Sequence, residues 1–178
     1  MSKKGVNKKL ITKVEINNAI VFANDFITRS LDEQHYISKG QLQNLVYLTY
    51  GFYSAVYEKA PFDARFFAKK EGIEQHDIAL ALKDHQAIIK DDIMNFISPI
   101  KNPNQKCAYK STDTAVHTEI LDLVWERYGK VYLACQLHNL VTAPGSPYAK
   151  ARQADYQINH QSIVDYFNGN AVINDKSK

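Results

Sequence analysis

The sequence predicts a mainly α protein: a single compact helical domain of about six to eight helices, with at most a small β-hairpin or short strands. Three observations carry that expectation. Apolar residues recur at steps of three and four along most of the chain. Capping and breaking residues, among them Ser38, Pro61, Gly129 and Pro147, fall at the ends of those runs. Extended character is concentrated in one stretch, Asp63 to Lys69, where Phe66 and Phe67 adjoin.

Thr12 and Glu15 have capping-box spacing, and a first helix follows with Ile16, Ala19, Ile20, Ala23 and Ile27 on one face. It is expected to fade near Ser30 and give way to a polar loop, Asp32 to Ile37. Ser38 then caps a second helix. Leu42, Leu45, Val46, Thr49, Tyr53, Val56 and Tyr57 keep the helical period, Leu48, Phe52 and Ala55 add a second apolar side, and Tyr47 and Tyr50 widen it. A helix apolar this far around is central, with neighbours on several sides. Gly51 inside it costs about 1 kcal/mol relative to alanine, which points to a close-packing position.

Pro61 is expected to stop that helix, and Asp63 to Lys69 to form a short strand or hairpin arm. Adjacent residues of a strand face opposite ways, so one of Phe66 and Phe67 reaches the core and the other is covered by a neighbour or free for a partner. Gly72 is a turn candidate. Ile73 to Leu82 reads as a helix, and Asp84 to Ile97 as another, carrying Ile88, Ile89, Ile93, Phe96 and Ile97. Pro99 and Pro103 bracket a loop. Thr112 to Tyr128 is a further helix, with His117, Ile120, Leu121, Val124 and Tyr128 on one face and Gly129 as its C-terminal cap. Val131 to Val141 continues as a short helix. After the break at Ala143 to Pro147, Ser146 caps a helix that starts on Pro147. Asn159 caps the last helix, Ile163, Val164 and Phe167 face the core, and Gly169 ends it. The expected organisation is a basic, flexible tail over 1–13, one domain over 14–168 and a loose tail over 169–178.

With 178 residues, 45% hydrophobic and 23% charged, the composition is that of an ordinary globular domain. Apolar runs are only a few residues long and no signal-peptide pattern opens the chain, so no membrane segment and a cytoplasmic location are expected. Cys107 and Cys135 belong to no CxxC pair, and buried free thiols are expected. Lys3, Lys4, Lys8, Lys9 and Lys13 precede the first acid, Glu15. The net charge of +3 less those five leaves −2 for 14–178, so the folded part is near neutral.

No catalytic pattern emerges, and the chain is not expected to be an enzyme. Cys135 and His138 could supply half a zinc site, but no second pair at ligand spacing accompanies them. Ser146 lies in no nucleophile elbow and is explained as a cap. Asp91 and Asp92 are adjacent and would diverge on a helix, and neither a P-loop nor GxGxxG is present. No cofactor and no metal are expected. Gln41 to Asn44 faintly resembles a recognition helix, yet that helix is too apolar and not basic, so only the N-terminal lysines hint at DNA. Eleven tyrosines point instead to a protein partner, against the simpler explanation that Tyr47, Tyr50, Tyr53 and Tyr57 pack a central helix.

The order of elements resembles the Panacea antitoxin domain family of phage-associated, SocA-like proteins. Leu42-Gln43-Asn44-Leu45-Val46-Tyr47 stands where that family has L-x-K-L-L-Y, and Pro61-Phe62 where it has a Pro-Leu-Phe step. Ala68-Lys69-Lys70-Glu71-Gly72-Ile73-Glu74 occupies the place of an Ala-Trp-x-x-Gly-Pro-Val signature, keeping its alanine and glycine. Leu121, Val124, Tyr128 and Gly129 match a Leu-x-x-Val-x-x-x-Tyr-Gly helix end, and Ser146-Pro147-Tyr148 stands where the family has Ser-Pro-Trp, with tyrosine for the tryptophan. Ile158 and the segment from Ile163 to Phe167 correspond to the family's final helix.

The resemblance implies an antitoxin that neutralises a cognate toxin, or binds another bacterial or phage protein, by direct contact. It leaves open a proteolysis adaptor for a bound toxin and a phage-encoded inhibitor or regulator of a host defence complex. A homodimer is left open too. The contact region it implies comprises Phe66, Phe67, Lys69, Lys70, Gly72 and Ile73 on the arm, with Pro147 and Tyr148 in the loop Pro144 to Tyr148.

Overall fold

The computed structural model describes residues 19–83, 88–90, 94–96 and 115–169. The expected basic tail and helix start at Thr12, the Pro99–Pro103 loop, Cys107 and the tail beyond Gly169 lie outside them. The protein is mainly α. Among the described residues are seven α-helices: α1 Ala19–Asp32, α2 Lys39–Tyr57, α3 His76–Lys83, α4 Ala115–Val124, α5 Ala134–Val141, α6 Pro147–Arg152 and α7 His160–Gly169. The strands are β1 Phe66–Lys69, β2 Gly72–Gln75, β3 Ile88–Lys90, β4 Met94–Phe96 and β5 Gln157–Ile158. They form an antiparallel three-stranded sheet, ordered β2-β1-β5, and a separate antiparallel pair, β3-β4. No helix among the described residues is long and apolar enough to cross a membrane.

The fold is built around α2. Ser38 Oγ accepts from the Gln41 N–H (3.2 Å) while Gln41 Oε1 accepts from the Ser38 N–H (2.9 Å), a reciprocal cap. Every residue from Leu42 to Ser54 is buried, because α1, α4, α5, α7 and β2 all pack on this helix. At Gly51 an added Cβ would overlap the Phe167 ring, so the glycine is what lets α7 lie this close. The helix ends at Glu58, which takes φ 53°, and Pro61 only follows that left-handed cap. Tyr47, Tyr50 and Tyr53 are core residues, so much of the aromatic surplus fills the interior.

Four segments depart from the sequence expectation. The stretch expected as a helix from Ile73 opens as β2, because residues 72–75 pair with β1, and α3 begins only at His76. Gln75 Oε1 then accepts from the Ile78 N–H at 2.8 Å, serving the first turn of α3. The stretch expected as a helix over Asp84 to Ile97 holds the β3-β4 pair, with Ile88 opposite Phe96 and Lys90 opposite Met94. β-Branched Ile88 and Ile89 favour a strand. Gly129 is not a left-handed cap. It closes a π-helical turn, Trp125–Gly129, that continues α4, and a Cβ there would overlap the Trp125 ring. The Trp125 indole N–H donates to Glu33 Oε1 at 2.9 Å, tying this turn to the end of α1. The helix expected from Val131 begins at Ala134.

Candidate functional site

The two segments marked as contacts by the sequence come together on one surface. Lys69 pairs with Gly72 across the two-residue turn Lys70-Glu71, and Gly72 takes φ 133°, a backbone region that favours glycine. Strand alternation sends Phe66 and Ala68 into the core and Phe67 and Lys69 outward. The Lys69 ammonium lies 5.3 Å from the centre of the Phe67 ring.

α6 closes on this hairpin. Ser146 Oγ accepts from the Ala149 N–H at 3.2 Å and Pro147 supplies the first helical residue, which sets the direction of the helix. Tyr148 Oη donates to the Lys69 carbonyl at 2.7 Å. Arg152, one helical turn further on, donates to the Ala68 carbonyl at 3.4 Å and stacks over Tyr156 with 4.9 Å to the ring centre. The Ala68 N–H in turn donates to the Tyr156 carbonyl at 2.7 Å. The hairpin is therefore held by backbone and side-chain bonds from a segment far along the chain.

Of the eight residues the sequence singled out, four are not available to a partner. Phe66, Gly72, Ile73 and Pro147 are buried: Phe66 and Ile73 point inward from the sheet, and Pro147 packs as the first residue of α6. Their part is to support the surface. Phe67 and Tyr148 are half-buried, and Lys69 and Lys70 are exposed. Arg152 and Tyr156 belong to the same surface and were missed. Arg152 could have been found from its position four residues after Tyr148, on the same helix face. Tyr156 carries no such signal, since its φ of 66° breaks the helical pattern that precedes it.

Among the described residues no group of three His, Cys, Asp or Glu is placed to hold a metal ion. Cys135 is exposed, not buried as expected, because α5 turns Leu137 and Val141 inward instead. The Tyr50 hydroxyl lies 2.7 Å from His160 Nδ1; burial, helped by the charge of Asp63, pushes its pKa up to about 12. Tyr47 Oη and Ser54 Oγ are buried without a hydrogen-bond partner among the described residues. Glu33 is held below the usual carboxylate range by its hydrogen bond from Lys130, at 2.9 Å, and secondarily by Trp125.

Compared with family models, curated proteins and solved structures, the chain matches none.

Proposed function

We propose that the chain is an antitoxin-type protein-binding domain, acting in the cytoplasm, that neutralises a cognate toxin by direct contact through the hairpin and α6. The resemblance to the Panacea antitoxin domain family supplies the expectation. One observation supports the location: Tyr148 and Lys69, 79 residues apart in sequence, are joined at 2.7 Å. Two segments that the resemblance implies as contacts thus form one surface that carries Phe67, Lys69, Lys70 and Tyr148. A surface fixed before binding loses less conformational entropy on association than a free arm would.

The test is co-expression with the product of the adjacent reading frame. That product alone is expected to stop growth, and co-expression to restore it with a stable complex on purification. The double reversal Lys69→Glu/Lys70→Glu is expected to weaken rescue while leaving the helical circular dichroism unchanged. A harmless neighbour that does not co-purify would remove the antitoxin assignment. A reversal variant that neutralises as well as the parent would move the contact elsewhere.

A further inference from the structure

The charges of the hairpin–α6 surface identify the chemistry of what it receives. Two cations there are pre-positioned, each laid along an aromatic ring: Lys69 over Phe67 and Arg152 over Tyr156. Tyr148 stands with them, its hydroxyl already bonded to the Lys69 carbonyl, and Lys70 adds a third cation at the turn. Among the described residues, none of these cations is in an ion pair. Lys69 and Arg152 are thus held against rings and not by a carboxylate. A guanidinium held by one N–H to a backbone carbonyl keeps its other donors for a carboxylate, and an aromatic plane beside it offers apolar contact.

The same surface carries Glu71, Glu74 and Asp155, which are likewise outside any ion pair among the described residues. A nucleic-acid track needs an unbroken run of positive potential along a phosphate backbone. Three carboxylates among the cations interrupt such a run. They suit a partner whose negative charges are discrete and spaced by uncharged side chains, which is a property of polypeptide.

Resting on the protein-binding reading above, we infer that this surface takes a protein segment in which acidic side chains flank an aromatic one. The carboxylates meet Lys69 and Arg152, and the ring lies against Tyr148 and Phe67. The binding is charge-assisted, so it weakens with salt.

Fluorescence anisotropy with the full chain tests this, using three labelled probes: a random glutamate–tyrosine copolymer, polyglutamate and an oligouridylate. The copolymer is expected to bind most tightly, to weaken as salt rises from about 50 mM to about 500 mM, and to lose about tenfold in affinity with Arg152→Glu. Because Arg152 also supports the hairpin, Lys69→Glu/Lys70→Glu, whose side chains are exposed, is the second variant and is expected to show a loss of similar size. Lys59→Glu, an exposed lysine just past α2, is the control and is expected to change nothing. Failure of the copolymer to bind, or an equal loss with the control, would overturn the inference. Preferential, reversal-sensitive binding of the oligouridylate would replace the protein segment with nucleic acid. A toxin complex that survives both reversals would sink the acidic-segment chemistry and leave the antitoxin reading standing. Copolymer binding without any toxin would do the converse.

Discussion

Gly51 shows how a single position can be read correctly before its neighbour is known. A glycine in mid-helix needs a compensating reason, and the sequence alone allows one, close packing. What it cannot name is the ring that arrives, Phe167, from the far end of the chain. Gly129 is the contrasting case. The pattern of an aromatic residue followed by glycine at a helix end invites a left-handed cap, yet the backbone stays right-handed and the missing Cβ makes room for Trp125. Gly51 is explained by a ring from another helix, Gly129 by the ring of Trp125 in its own π-helical turn. Gly51→Ala is accordingly expected to destabilise the protein. The helix-propensity gain of about 1 kcal/mol is outweighed by overpacking against Phe167, which costs typically about 1–3 kcal/mol. Urea denaturation would show a lower midpoint at unchanged slope. An unchanged or higher midpoint would mean that α7 yields without cost, contrary to its close packing on α2.

Helices with their own capping chemistry were legible as elements, and so was β1 within the stretch expected as a strand, whereas β2, β3 and β4 lie in stretches that read as helices. Ser38, Ser146 and Asn159 each cap the helix the sequence assigned to them. By contrast, nothing local distinguishes Gly72–Gln75 from a first helical turn. It becomes β2 because β1 is beside it, and β1 is itself fixed by β5 and α6. The same limit governs the surface proposed for binding. Its hairpin half and Arg152, four residues after Tyr148, could be drawn from the sequence, whereas Tyr156 joins it only through its carbonyl's bond from the Ala68 N–H. The reciprocal cap at the start of α2 gives the element-scale prediction. Ser38→Ala is expected to cost about 1 kcal/mol, because one of the four N-terminal amides loses its acceptor. Gln41→Ala removes the other half of the cap together with its bond to the Tyr132 carbonyl at 3.4 Å. The two substitutions share one motif, so the double variant is expected to lose less than the sum of the singles. Additive losses in a denaturation series would show that the two halves act separately.

At the scale of the whole molecule, a central helix covered on every side was written in the breadth of its apolar surface, while the identity of the covering elements was not. Tyr50 shows what that architecture does to one group. Its ring packs on Phe62 and on Phe66 of β1, and its hydroxyl reaches His160 at the start of α7, so a single side chain links the central helix to the sheet and the last helix. Burial is the largest cause of its raised pKa, with Asp63 adding to it. An unfolded tyrosine ionises near 10 and this one at about 12. Because the folded state holds its proton more tightly, the stabilisation is fully present below pH 10 and is lost as pH rises from 10 to 12. Roughly 3 kcal/mol is at stake for a shift of this size. Tyr47, Tyr53 and Tyr128 are also pushed upward by burial, so the parent protein meets a steep alkaline limb. Tyr50→Phe keeps the ring contacts and removes the proton. Its stability between pH 10 and 12 is expected to fall less steeply than the parent's, by up to about 1.4 kcal/mol per pH unit. Parallel alkaline limbs in urea titrations of the two proteins would show that Tyr50 ionises freely in the fold, and the packing of α2 against β1 and α7 would then be looser than its ring contacts imply.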